Sequence, residues 1–469
     1  MYHTSTISLG RFSRLRSFFH ALLWLPTAIL SLHACSTLDI LNIGRKEPTF
    51  SSVQEQQLYK RATELKDIEA QVQLGEMYAV GHEVSQDYER ASHWYRRAAD
   101  QGNSTAQLRL AELYMMGHGV SQDHAEAGRW YRLAASQGDV LAQLRLGRMY
   151  EQSNGSPANF QEASHWYHMA ANQGDVQAQF RLGQMFEQGQ GVPQDYQEAS
   201  LWYRMAANQG DSQAQLRLGE LFAEGLGVTQ DYQEASRWYQ MAASRREAEA
   251  QLHLGEMYEQ GHGVDQDLTE ASRWYRMAAE QGHAVAQLRM ASLCLKGRGV
   301  PQNQAEAIRW YRLAAEQGHV IAQLQLGDIY MTGRIVGVDL TESSRWYSRA
   351  AEQNHPIAQR RMGEMYETGR GVPQDYRKAM DWYTRSANQG HAEAQFKLGN
   401  LYALQKDYVD AHMWLNLCAA SGHKEGKIKL YRVASDMSYE EIEKAQELAR
   451  EWMTKKNGAL GPNGQKPAT

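Results

Sequence analysis

The segment AQFRLGQMF, residues 178–186, recurs in modified form along most of the chain. Its opening alanine returns every 36 residues, at Ala70, Ala106, Ala142, Ala178, Ala214, Ala250, Ala286, Ala322, Ala358 and Ala394. Tryptophan keeps the same period from Trp94 to Trp382, and the last copy carries it four residues early, at Trp414. A period of this length predicts a solenoid of stacked helical repeats, in which each repeat contacts its neighbours.

Each repeat predicts two helices joined by a turn. Counting the alanine as position 0, positions 0, 4, 5 and 8 of residues 214–224 hold Ala, Leu, Gly and an aromatic residue, which lie on one side of a helix. A second stripe of Ala, Trp and Tyr predicts the second helix, and the repeat then ends at a residue suited to left-handed backbone, usually glycine. Position 5 is Gly or Ala in every copy, which predicts close approach of the two helices.

Composition favours a folded protein without a nucleic-acid partner. The 469 residues are 42% hydrophobic and 22% charged, with a net charge of -5. Because the period runs from about residue 53 to about residue 430, no separate catalytic domain has room in the chain. Stability is expected to come from packing, since no repeat contains a cysteine pair and we interpret Cys294 and Cys418 as small buried hydrophobic residues.

Residues 1–35 predict an export signal. Three arginines precede an apolar stretch that is too short to span a bilayer well, and the segment ends at Cys35. This layout resembles a bacterial lipoprotein signal, which implies lipidation of Cys35, although His33 is unusual in such a sequence. Ser36 resembles the outer-membrane sorting class, so we expect an anchor on the periplasmic face of the outer membrane. Simple secretion to the periplasm or beyond is the alternative.

Four motifs recur in register: Ala-x-x-Leu-Gly-x-x-Tyr, Gly-x-Gly-Val, Asp-Tyr-x-x-Ala and Trp-Tyr-x-x-Ala-Ala. They resemble the Sel1-like repeat, a relative of the tetratricopeptide repeat, over more than three quarters of the chain. The resemblance implies an all-α fold, a right-handed α/α solenoid of about ten 36-residue helical hairpins with capping helices. Residues 153–157 and 334–337 depart from the motif at two turns.

Both ends of the array are expected to be capped. Residues 53–66 predict a lone helix before the first complete repeat, and residues 431–456 predict a C-terminal capping helix that begins at a Ser-x-x-Glu capping box. The expected organisation is therefore a signal peptide over 1–35, a flexible tether over 36–52, the solenoid over 53–430, the capping helix over 431–456 and a disordered tail over 457–469.

Two candidate chemistries are disfavoured. His283, His319, His355, His391 and His423 occupy one repeat position, but repeats stack at roughly 8 to 10 Å, too far apart to share a zinc ion. Earlier copies carry Asn or Asp there, so we interpret the position as a helix N-cap and predict no metal site. No catalytic motif is present, and the chain lacks the paired cysteines of relatives linked to β-lactams, so we predict no enzyme and no cofactor.

A partner-binding surface is better supported. Position 3 of the first helix faces away from the core and forms a basic stripe, and acids often follow at position 6. The candidate binding residues are Arg109, Arg145, Arg181, Arg217, Arg289 and Arg361, together with the variable pair Met115 and Met116. A mutually paired, soluble surface is the alternative interpretation of the stripe.

The sequence therefore predicts a non-enzymatic scaffold of the bacterial envelope that binds a protein or peptide on the inner face of the solenoid, with membrane contact only through the lipid anchor. The family resemblance implies the same role. A scaffold for polysaccharide secretion or a binder of cell-wall glycans stays open as an alternative; a secreted host-interaction factor and a β-lactamase-like enzyme are further alternatives.

Overall fold

The computed structural model describes residues 49–152 and 159–459. Over these residues the chain forms 23 α-helices and no β-strand. They belong to two compact units, the first ending at Gln137 and the second beginning at Gly138. The expected all-α fold is confirmed.

The first unit contains five helices, α1 Val53–Glu64, α2 Ile68–Val80, α3 Tyr88–Asp100, α4 Ser104–Met116 and α5 His124–Ser136. The second unit begins with α6 Val140–Glu151, α7 Phe160–Asn172, α8 Val176–Gln188, α9 Tyr196–Asn208, α10 Ser212–Glu224, α11 Tyr232–Ser244, α12 Ala248–Gln260, α13 Leu268–Glu280 and α14 Ala284–Lys296. It continues with α15 Gln304–Glu316, α16 Val320–Thr332, α17 Leu340–Glu352, α18 Pro356–Thr368, α19 Tyr376–Asn388, α20 Ala392–Leu404, α21 Tyr408–Ala420, α22 Lys424–Ala434 and α23 Tyr439–Ala459.

The fourth repeat, formed by α8 and α9, shows why the sequence folds into a hairpin. Helix α8 ends at Gly189, whose φ of 68° is left-handed and therefore favours glycine. Helix α9 begins at Asp195, whose carboxylate accepts hydrogen bonds from the backbone N–H groups of Gln197 and Glu198 at 2.8 and 3.1 Å. The turn thus lies between the C-cap of α8 and the N-cap of α9, and the apolar stripes of both helices face each other.

The small residue at position 5 lets the second helix press its tyrosine onto the first. A Cβ atom built on Gly219 would lie 2.7 Å from the Cδ1 and Cε1 atoms of Tyr239, a ring that is 3% exposed. The same overlap recurs at Gly183 with Tyr203. The predicted close approach is confirmed, and its partner is the tyrosine of the same repeat.

Buried glutamines connect consecutive repeats within each unit. The amide of Gln179, at position 1 of repeat four, donates to the backbone carbonyl of Ala171 in the preceding repeat at 3.1 Å. Its side-chain oxygen accepts from the amide of Gln209, which follows α9, at 2.8 Å. Gln179 is 1% exposed, so these bonds satisfy a polar group that would otherwise be costly to bury. We call this recurring pattern the glutamine ladder.

The junction between repeats five and six departs from the other repeats in three ways: in its left-handed residue, in its helix N-cap and in the glutamine ladder. Arg246 adopts a φ of 68° at the position where most repeats carry glycine. The side chain of Glu247 does not cap the backbone N–H groups at the start of α12, whereas Asp211 caps the start of α10. The buried side-chain oxygen of Gln215 has no hydrogen-bond partner, because Arg245 replaces the glutamine that would donate to it. We therefore expect this junction to be less stable than the other junctions of the second unit.

The ends of the described chain are covered by helices outside the repeats. In α1, Tyr59 packs edge-on against Trp94 with ring centroids 5.6 Å apart. In α23, Trp452 packs against Trp414 at 6.1 Å, and Ser438 and Glu441 form a reciprocal capping box. Helix α22 precedes this cap as a separate element, and α23 extends to residue 459, three residues beyond the expected boundary.

Residues 1–48, 153–158 and 460–469 lie outside the described part of the chain, and so do the predicted signal peptide, Cys35 and most of the predicted tether and tail. Among the helices between residues 49 and 459 that are described, none combines the length and apolar character needed to cross a bilayer.

Candidate partner-binding surface

The arginines at position 3 lie beside carboxylates on the first helices. Arg109 and Arg217 each donate to the glutamate three residues on, Glu112 at 3.0 Å and Glu220 at 2.8 Å. Spacing of three residues places both side chains on one helix face, which accounts for these pairs. Their guanidinium-bearing side chains stay 42% and 41% exposed, so the pairing leaves the cations accessible.

Other position-3 arginines reach back to the preceding repeat. Arg289 in α14 contacts Glu256 in α12 at 3.0 Å. Arg361 in α18 lies 3.6 Å from Asp328 in α16 and 3.2 Å from Glu364 of its own helix. Such contacts add a charged connection between first helices of neighbouring repeats, although exposed ion pairs of this kind contribute only about 0 to 1 kcal/mol each.

Two further stripe arginines differ in detail. Arg181 donates to the side-chain oxygen of Gln184 at 3.0 Å and lies 3.9 Å from Glu151 of the preceding repeat. Arg145 is half-buried in α6. The stripe is thus a set of cations held among acids and amides, and this arrangement is compatible with both interpretations given to it above.

Tyrosines of the second helices extend to the same face. After crossing position 5, the hydroxyl groups of Tyr167 and Tyr275 donate to the position-9 glutamates Glu151 and Glu259 at 2.6 and 2.7 Å. Tyr203 donates to Glu187 in the same way. Burial, and secondly the bonded carboxylate, raises the pKa of these tyrosines well above the ordinary value, so the hydroxyls remain donors.

A histidine takes the place of arginine in repeat six. His253 faces Glu220 and Glu249, each at 3.7 Å, and Glu256 at 3.5 Å. Burial alone would lower the pKa of His253, but hydrogen bonds to Glu220 and Glu256 outweigh it and raise the pKa to about 9. The imidazole is therefore positively charged at neutral pH and continues the basic stripe.

The two predicted methionines lie in the first unit, at the end of α4. Met115 is half-buried, with its sulfur 3.4 Å from the Nδ1 atom of His124. Met116 is 64% exposed. The variable positions 9 and 10 therefore hold one packed and one exposed side chain in this repeat.

A cleft lies at the corresponding positions of repeat seven, in the second unit. It has a volume of about 360 Å³. Its lining includes Leu288, Arg289, Leu295, Lys296, Arg298, Tyr311 and Ile321, and one carboxylate, that of Glu259. Variation at Leu295 and Lys296 is visible in the sequence, but the participation of Tyr311 depends on a contact between two helices that periodicity does not specify.

The histidine row caps helices. The Nδ1 atoms of His283 and His391 accept from the backbone N–H groups of Ala286 and Ala394 at 3.3 and 3.2 Å. His423 caps α22 in the same way. No group of side chains suited to hold a metal ion occurs among the described residues.

Comparisons with known proteins agree with the repeat pattern. The Sel1 repeat matches at ten consecutive places between residues 68 and 423. A crystal structure of a protective antigen present in uropathogenic Escherichia coli strains, described as displaying an SLR fold, is 30% identical with a TM-score of 0.60, covering 89% of this chain and 99% of that one.

A Sel1 repeat protein from Oxalobacter formigenes is also 30% identical, with a TM-score of 0.58, covering 78% of this chain and 99% of that one. No curated protein matched the chain. The periodic helical hairpins of this chain, the ten family matches and the two structural relatives all indicate the same family. The chain belongs to the Sel1 repeat family and has its solenoid fold.

Proposed function

We propose that this protein is an exported scaffold of the bacterial cell envelope, anchored by a lipid on Cys35, that binds a protein or peptide partner on the face formed by its first helices. Sel1 repeat proteins generally mediate protein–protein interaction, and their solenoids are typically non-enzymatic scaffolds. The envelope location is supported by residues 1–35 and agrees with the Escherichia coli relative being a protective antigen.

One observation carries the binding proposal. The first-helix face holds accessible charged groups on a repeated helical frame, while the side chains at positions 9 and 10 change from repeat to repeat. A constant frame with variable side chains can recognise a specific partner without any change in the core.

The core placement of the recurring tryptophans supports a protein rather than a glycan partner. Trp94, Trp310 and Trp346 are 5%, 3% and 5% exposed, and the other repeat tryptophans are buried or half-buried. These rings pack into the core between consecutive repeats and do not present the exposed aromatic platforms on which sugars stack.

Capture from envelope extracts tests this proposal. The immobilised protein is compared with a variant in which Arg181, Arg217 and Arg289 are changed to Gln, and the retained proteins are identified. We expect the variant to lose the partner and to show weaker salt dependence, because charged contacts have been removed.

A matched control makes the same change on second helices, where Arg237, Arg273 and Arg345 are about 70% exposed and each pairs with a glutamate three residues earlier. This control should retain the partner. Equal retention by all three proteins contradicts the assignment to the first-helix face.

A further inference from the structure

Repeat seven lacks the acidic side chains that lie beside the basic stripe in repeat six. Position 6 is Ser292 and position 9 is Leu295, where repeat six has Glu256 and Glu259. Position 10 is Lys296, and Arg298 follows two residues later. The replacement of acids by apolar and basic residues coincides with the cleft described above.

Tyr311 in this cleft lacks the carboxylate acceptor that Tyr275 and Tyr383 possess at the equivalent place. Tyr275 and Tyr383 donate to their position-9 glutamates at 2.7 and 2.6 Å. The Tyr311 hydroxyl makes no hydrogen bond to any residue in the described part of the chain, and its ring is 4% exposed. Burial raises the pKa of Tyr311, so its hydroxyl is a donor that faces the cleft without an acceptor.

The cations around this hydroxyl are only partly neutralised. Arg289 is paired with Glu256 at 3.0 Å, and the carboxylate of Glu259 already accepts from Tyr275. Lys296 and Arg298 are both exposed and form no ion pair with the described residues. The cleft therefore combines an unused hydroxyl donor with two unpaired positive charges, a combination that favours a carboxylate.

Apolar side chains complete the lining. Leu288 and Leu295 are half-buried, and Ile321 at the start of α16 is 42% exposed. An aliphatic group that covers them loses contact with water, which favours binding. The chemistry of the cleft thus matches a carboxylate with an aliphatic neighbour.

We propose that the repeat-seven cleft binds an acidic peptide segment of a protein partner. A Glu or Asp side chain of that segment takes the place vacated at position 9, accepts from the Tyr311 hydroxyl and is neutralised by Lys296 and Arg298. A neighbouring aliphatic side chain packs on Leu295 and Ile321. The inference rests on the proposed function and specifies the chemistry of its partner.

Selection from a display library of random nonapeptides on the full chain tests the inference. We expect enriched peptides to place Asp or Glu next to Leu, Ile or Val. Fluorescein-labelled copies are then measured by fluorescence anisotropy. Leu295→Glu supplies the missing carboxylate within the protein, so affinity should fall at least tenfold, and Tyr311→Phe should reduce it roughly tenfold by removing one hydrogen bond to a charged group.

The matched control is Ala223→Glu, which places the same residue at the same position of repeat five. Binding should be unchanged there, because the cleft is untouched. Glutamate at position 9 is compatible with the fold, since Glu151, Glu187, Glu259 and Glu367 occupy it in other repeats. Thermal denaturation of each variant checks that folding is retained, and Tyr311→Phe keeps the test independent of the glutamate substitution.

Two results overturn the inference: enrichment of no acidic peptide by the wild-type protein, or unchanged affinity in both Leu295→Glu and Tyr311→Phe. Capture of an envelope protein by the first-helix face is a separate measurement. A partner retained there but insensitive to Leu295→Glu would leave the proposed function in place and remove the cleft from it.

Discussion

Repairing the junction between repeats five and six should stabilise the protein. The repair replaces Arg245–Glu247 by Gln-Gly-Asp, the residues found as Gln209–Asp211 at the end of repeat four. Each change corrects one departure. Glutamine at 245 supplies a donor for the side-chain oxygen of Gln215, glycine at 246 suits the φ of 68°, and aspartate at 247 supplies a side-chain cap for α12.

The expected gain is about 3 kcal/mol. A carbonyl oxygen buried without a partner costs about 1 to 3 kcal/mol, and glutamine at this place bonds the equivalent oxygen of Gln179 at 2.8 Å. Left-handed backbone costs a residue with a Cβ atom about 1 to 2 kcal/mol, although the flexibility of glycine in the unfolded chain offsets part of that gain. A restored N-cap contributes about 1 kcal/mol.

Some existing contacts are lost in the repair. The carboxylate of Glu247 accepts from Gln213 at 2.8 Å, and a shorter aspartate would not keep this bond. Because the contact is exposed, its loss should cost only a few tenths of a kcal/mol. The net effect therefore remains stabilising.

Urea denaturation followed by circular dichroism measures the overall change, and native-state hydrogen exchange locates it. Protection should rise most in α11 and α12, since repeat arrays can open locally. The reverse exchange, Gln209–Asp211 to Arg-Arg-Glu, is the matched control and should lose a similar free energy of unfolding at the intact junction. An unchanged midpoint in the repaired protein, or a reverse exchange without cost, would refute the reasoning.

Three further predictions concern packing, export and pH. Gly219→Leu should displace the Tyr239 ring and lower the free energy of unfolding by about 1 to 3 kcal/mol, whereas Gly219→Ala should cost less because alanine occupies position 5 of two repeats; equal urea midpoints for the two variants would contradict the close contact. Cys35→Ser should move the protein from the membrane to the soluble fraction on cell fractionation without changing its melting curve, and retention in salt-washed membranes would exclude lipidation. The pKa of His253 is raised from 6.5 to about 9 in the folded state, so its stabilising effect is fully present below pH 6.5 and is lost as pH rises through 9. His253→Gln should therefore lower the free energy of unfolding by on the order of 2 kcal/mol at pH 6. The difference from the unchanged protein, measured by urea denaturation, should shrink by pH 10.

The fold could be predicted from the sequence because a copied unit repeats its core pattern ten times, so single departures do not obscure the period. Helix ends, the small residue at position 5 and the burial of Cys294 and Cys418 all follow from that pattern. Glutamine at position 1 recurs as visibly as the alanine before it, but its two hydrogen bonds join different helices and cannot be inferred from one helix alone.

The candidate surface was harder to predict from the sequence, because the repeat pattern indicates where a side chain lies but not which side chain it contacts. Position 3 places arginines on a face that is partly exposed, yet the choice of partner differs between Arg217, which pairs within its repeat, and Arg289, which pairs with the preceding one. Arg217 has Glu220 three residues on, whereas Arg289 has Ser292 there and pairs with Glu256 of the preceding repeat instead. Tyr311 belongs to a core motif in sequence, and only the loss of its acceptor across the hairpin distinguishes it from Tyr275.

The glutamine ladder has a consequence for how such a gene can change in length. Each step of the ladder is made by the same three positions: a glutamine at position 1, an alanine carbonyl of the copy before it and a glutamine late in its own copy. Duplication or deletion of one 36-residue period within a unit joins two copies whose facing positions are again those three. Unequal recombination can therefore add or remove whole copies, and each new boundary that carries these three residues inherits a complete set of bonds.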